Sequence, residues 1–113
     1  MKRHLLLLAA SIAPLAVQAH DFPTSGRVEY VLECMQKHAG KYEYLYKCSC
    51  VIDHIAKQMP YDEYVTVSTA LRNQTMAGER GAVFRDPPPV KEMASKYKAL
   101  QASANKACYV PER

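Results

Sequence analysis

The 113-residue chain has no tryptophan, two phenylalanines and four glycines. It contains no G-x-S-x-G, no H-E-x-x-H and no P-loop, so the commonest hydrolase, zinc-protease and nucleotide-binding signatures are missing. Gly78-Glu79-Arg80-Gly81 has neither the length nor the lysine of a phosphate cradle. There is no C-x-x-C pair either, and no βαβ pattern surrounds Cys48-Ser49-Cys50, which argues against a thioredoxin-like redox centre. Internal repeats and low-complexity tracts are likewise missing.

Long apolar runs are scarce. Leu5 to Ala13 is apolar apart from Ser11, yet a membrane-spanning helix needs roughly 20 such residues. The run follows a basic start, Met1-Lys2-Arg3-His4, and precedes Val17-Gln18-Ala19, with small residues placed for cleavage. The pattern predicts a signal peptide over residues 1–19 and a mature, periplasmic chain of 20–113 with no membrane span. Cleavage removes Lys2 and Arg3, leaving 13 basic against 11 acidic residues, so the formal charge falls from +4 to +2. A chain this close to neutral is not a nucleic-acid binder. About ninety residues make one domain, and a core of that size is marginal on its own.

Reinforcement is expected from the four cysteines, Cys34, Cys48, Cys50 and Cys108, all in the mature part. An even count in a short exported chain reads as two disulfides rather than a tetrathiolate metal site. The periodicity predicts an all-α domain of four helices. Thr24 or Ser25 caps a first helix with Val28, Val31, Leu32 and Met35 as its apolar stripe, and Gly40 stops it. Tyr42, Tyr44, Tyr46, Cys48 and Cys50 alternate as in a strand, but Leu45, Cys48, Ile52, Ile55, Ala56 and Met59 form a longer helical stripe. A helix over residues 42–58 is therefore expected, ended by Pro60. A third helix follows, with Asp62 and Glu63 in its first turn and Tyr64, Val65, Ser68 and Leu71 facing inward. Gly78 to Pro89 reads as a loop, and Val90, Met93, Tyr97, Leu100, Ala104 and Ala107 as a fourth helix delivering Cys108.

Cys48 and Cys50 point about 200° apart on a helix, so each takes a different partner. A hairpin near Gly40 favours Cys34–Cys48 with Cys50–Cys108; exchanging the partners is the competing pairing. Loops of these sizes stabilise by about 3–4 kcal/mol each in the chain-entropy model.

Candidate metal ligands are carboxylates. Glu29 and Glu33 are i, i+4 on one helix, and Asp62 and Glu63 adjoin at a helix start, while Glu43, Asp21, Asp53 and Asp86 are further oxygen donors. Without an EF-hand loop, a hard cation needs a site assembled across elements or subunits. The plainer reading makes Glu29 and Glu33 a solvated face and Asp62 and Glu63 dipole partners. His20 would open the mature chain, and its α-amine and imidazole, with His38 or His54, offer a nitrogen-rich Cu(II) site. Eight tyrosines against no tryptophan is a bias, and exposed tyrosine suits a protein partner or homodimer interface. Phe84-Arg85-Asp86-Pro87 adds a further contact.

The exported plan, Cys48-Ser49-Cys50, Met59-Pro60-Tyr61-Asp62-Glu63-Tyr64 and Phe84-Arg85-Asp86-Pro87-Pro88 together resemble landiscernin-like periplasmic lanthanide chaperones of methylotrophs. The resemblance implies a non-enzymatic, metal-binding chaperone that handles a lanthanide ion beside a quinoprotein alcohol dehydrogenase. Small two-disulfide helical domains also look like periplasmic immunity proteins that inhibit a secreted bacterial toxin. A structural accessory to a periplasmic enzyme is the third reading.

Overall fold

The computed structural model describes residues 22–74, 78 and 87–112, so the expected signal peptide, His20, Asp21 and the 84–86 segment lie outside the described residues. Four helices make up the described fold: α1 (Thr24–Lys37), α2 (Glu43–Gln58), α3 (Tyr61–Asn73) and α4 (Pro88–Ala107). The all-α, two-disulfide expectation holds, and the pairing left open is settled as Cys34–Cys48 and Cys50–Cys108.

α2 is the centre. Cys48, Val51, Ile52, Ile55 and Met59 are all at most 1% exposed, the residue spacing of one helical face. The strand-like tyrosine alternation loses to this longer stripe. Tyr44 turns inward and stacks on His38 at 4.1 Å, while Tyr42 and Tyr46 stay outside. α1 runs antiparallel to α2, held at one end by the Arg27–Asp53 ion pair and at the other by Cys34–Cys48. α3 lies alongside α1, with Gly26 opposite Tyr61 and Glu33 paired to Arg72. A β-carbon at Gly26 would sit 2.9 Å from the Tyr61 ring, so the missing side chain is what lets the two helices approach. α4 runs antiparallel to α3, placing Tyr97 near Tyr64 and Lys96 near Glu63. Its end then reaches α2, where Cys108 bonds Cys50.

Helix boundaries follow local chemistry, with corrections. Neither Thr24 nor Ser25 caps α1: Pro23 is the N-cap, and Thr24 is already helical. The turn after α1 closes with the Gly40 amide donating to the Met35 carbonyl at 2.9 Å, in a left-handed backbone (φ +66°) that glycine adopts freely. The α1 stripe is rotated from the expected one. Val31 is buried and Met35 partly so, as expected, but Val28 and Leu32 are 49% and 55% exposed, and Tyr30 and Cys34 face inward in their place. Aliphatic spacing misjudged that phase because a disulfide and a large tyrosine decide which side is buried. In α3, Val65 is exposed and Val67 takes the inner position. The expected Gly78–Pro89 loop is too long at its C-terminal end, since Pro88 and Pro89 belong to α4. Proline is tolerated in a first turn, whose amides have no intrahelical acceptor.

Phe22, just before α1, packs in the core against Tyr61 and Tyr64, with ring centroids 5.1 and 5.0 Å away. Among the described residues, no helix is long and apolar enough to cross a membrane.

Candidate functional site

Where α1, α3, α4 and the C-terminal tail diverge, they leave a cleft of about 1040 Å³. Its floor is aromatic. Tyr30 from α1, Tyr64 from α3 and Tyr97 from α4 converge there, each 5–7% exposed. Leu71, Ala102 and Val110 add apolar wall, and Gln101 and Asn105 add amides. Gln101 Nε2 donates to the Tyr30 hydroxyl at 3.1 Å. The rim is charged: Arg72 holds Glu33 at 2.6 Å, with Lys37, Lys98 and Glu112 nearby.

The phenols are kept neutral. Burial pushes the Tyr64 hydroxyl up to about 12, with Arg72 pulling it down and Glu33 pushing it further up. Burial likewise raises Tyr97, helped by Tyr30 and Tyr64. It also raises Tyr30, against the Gln101 hydrogen bond, which lowers it. The floor therefore offers uncharged hydroxyls that donate and accept at any physiological pH.

A consequence for stability follows from the sign of these shifts. A group whose native pKa exceeds its unfolded value of 10.0 binds its proton more tightly when folded. Its contribution is complete below pH 10 and fades as the pH climbs through the native value. Stability is expected to fall steeply above pH 10, and Tyr64→Phe/Tyr97→Phe to flatten that fall in denaturant titrations at pH 8–11.5. Equal slopes in the wild type and the variant would refute the account.

The expected ligand carboxylates do not gather. Glu33 sits on the cleft rim, bound to Arg72, and Glu63 faces Lys96 at 3.4 Å. Glu29 and Asp62 are exposed on their helices. Such exposed ion pairs contribute about 0.2–1 kcal/mol, so an ion could displace them at small cost. Among the described residues, the one group of three His, Cys or carboxylate donors within 4.8 Å of one another is Cys50, His54 and Cys108, and its two sulfurs are already bonded. For the copper reading, His20 lies outside the described residues, His38 is buried against Tyr44, and His54 is exposed beside that disulfide.

No family model, curated protein or solved structure matches the chain. Sequence reasoning missed Tyr30, Arg72 and Gln101. The tyrosine bias was the available signal, but it pointed to exposed rings, and three of the eight tyrosines line one cleft instead.

Exposed aromatics are nonetheless present. Tyr42 and Tyr46 are 70% and 65% exposed, edge to face at 5.7 Å, with their hydroxyls 3.3 Å apart. Tyr109, beside Cys108, is exposed as well.

Proposed function

We propose that this chain is an exported, non-enzymatic binding protein that holds an extended segment of a partner protein in the α1/α3/α4 cleft. One observation carries the reading: a cleft of about 1040 Å³ whose floor is neutral phenols and whose wall carries amides. Neutral hydroxyls and amides pair with peptide N–H and C=O groups without the desolvation penalty that buried charges bring. Apolar Leu71, Ala102 and Val110 supply contact area for side chains between them.

The experiment is site-specific photo-crosslinking in the organism that makes the protein. A photoreactive residue at position 102, in the cleft, is expected to give one discrete adduct. The same residue at the exposed Lys57, on α2, gives none. Matching adducts from both positions, or none from position 102, would overturn the reading. An adduct with a toxin would make the protein an immunity factor, the alternative reading.

Lanthanide handling, the activity the resemblance implies, is the narrower form of the same proposal. Its support is that Glu33 and Glu112 line the same cleft as Tyr30, Tyr64 and Tyr97, whose phenol oxygens are hard donors. Micromolar La(III) is expected to raise the melting temperature of the mature protein, by the equivalent of about 2.7 kcal/mol at a hundredfold excess over Kd. Glu33→Gln/Glu112→Gln should abolish the shift, while Asp62→Asn/Glu63→Gln, outside the cleft, should leave it. Tyrosine-sensitised Tb(III) emission gives a second readout. A melting curve indifferent to La(III) removes the lanthanide form and leaves the crosslinking result to judge partner binding.

A further inference from the structure

The two disulfides sit in different surroundings. Cys34–Cys48 joins a fully buried Cys48 to Cys34, which is 9% exposed at the edge of the cleft. Cys50–Cys108 joins a half-buried sulfur on α2 to the start of the C-terminal tail. An exposed imidazole, His54, lies one helical turn beyond Cys50 on the same face, and its ligating nitrogen and both sulfurs fall within 4.8 Å of one another. We propose that Cys50–Cys108 is an exchangeable staple. Opened by an exported dithiol reductant, Cys50, Cys108 and His54 together hold one Zn(II) ion.

The chemistry balances. A reductant thiolate attacks the accessible Cys50 sulfur, the Cys50–Cys108 bond breaks, and Cys108 leaves as a thiolate. The second reductant thiol resolves the mixed disulfide. Two electrons pass from the dithiol to the protein, and the reductant becomes a disulfide. Zinc then binds two thiolates and a neutral imidazole, releasing the two thiol protons to solvent. The geometry needs little movement. Zinc bonds of about 2.3 Å to sulfur and 2.0 Å to nitrogen place tetrahedral donors about 3.5–3.8 Å apart. The Cα atoms of the two cysteines are 5.8 Å apart and can remain so while the side chains rotate. Three protein ligands leave a fourth position for water or a partner's side chain. The ion would then take over the role of the bond it replaces, keeping the tail on α2.

The test uses the full mature protein and limiting dithiothreitol, followed by alkylation and peptide mass mapping. Cys50 and Cys108 are expected to be labelled while Cys34 and Cys48 stay paired. Co(II), as a spectroscopic stand-in for zinc, should then bind one to one, with thiolate charge-transfer absorption and tetrahedral ligand-field bands. Added Zn(II) should displace it and block alkylation of both thiols. His54→Ala should weaken binding by roughly 100-fold, at the upper end of what losing even an outer-shell partner does, while leaving reduction unchanged. The proposal is overturned if Cys34–Cys48 opens first, if no thiolate-to-Co(II) band develops, if His54→Ala binds as tightly as the parent, or if the zinc-loaded chain lacks helical circular dichroism.

Discussion

Full reduction of both disulfides in the absence of metal is expected to unfold the domain at 37 °C. The two loops lie side by side in the sequence, 34–48 and 50–108, and share no residue. Their effects on the unfolded chain are therefore close to additive. Separations of 14 and 58 residues correspond to about 3 and about 4 kcal/mol of lost unfolded-state entropy. Together these rival the whole stability of a typical domain, about 5–15 kcal/mol. Removing the shorter loop alone, as Cys34→Ala/Cys48→Ala, should destabilise by about 3 kcal/mol. That lowers the melting temperature by roughly 12–24 °C for a domain of this size. Far-UV circular dichroism of the reduced chain and calorimetry of the double variant measure the two effects. Retention of a cooperative transition near the oxidised melting temperature after full reduction would show that packing alone holds the fold.

The centrality of α2 explains how much of this was legible in the sequence. Its stripe of Cys48, Ile52, Ile55 and Met59 is long and purely apolar, so periodicity found both the helix and its inner face. The C-x-C then gave the logic of the bridges, because residues two apart on a helix diverge. α1 and α3 were found as helices, and Val31, Tyr64 and Ser68 face inward as expected, while Val28, Leu32 and Val65 do not. The inner face of α1 also takes Tyr30 and Cys34, residues that satisfy a hydrogen bond or a disulfide as well as burial, and hydrophobic spacing does not register such demands. The start of α4 was hidden by its own prolines, which read as loop until a helix N-terminus gives them a use. The cleft was illegible for a different reason. It is built from three helices and a tail, from Tyr30 to Glu112, and no local pattern in one helix records what another contributes.

Tyr97→Ala is expected to destabilise the protein by about 3–5 kcal/mol, in the range for truncating a large buried aromatic side chain. The reason lies in the place of Tyr97 as the one large, deeply buried side chain of α4. Of its 20 residues, Tyr97 and Ala104 are the buried ones. Tyr97 is also the ring through which α4 meets Tyr64 of α3, at 6.0 Å between centroids. Without it, the helix keeps Ala104, the partly buried Met93, Ala94 and Leu100, the Gln101–Tyr30 hydrogen bond and, at its far end, Cys50–Cys108. The loss should therefore be local before it is global. Native-state hydrogen exchange should show α4 and α3 opening at lower free energy, while α1 and α2, joined by Cys34–Cys48 and by the Arg27–Asp53 pair, keep their protection. Tyr97→Phe keeps the ring and should lose much less. Combining Tyr97→Ala with Cys50→Ser/Cys108→Ser should cost less than the sum of the separate changes. Once α4 has detached, a second break in the same attachment has little left to release. Strict additivity, or a loss of protection spread evenly over all four helices, would mean that α4 is not a separately anchored unit and that Tyr97 supports the core as a whole.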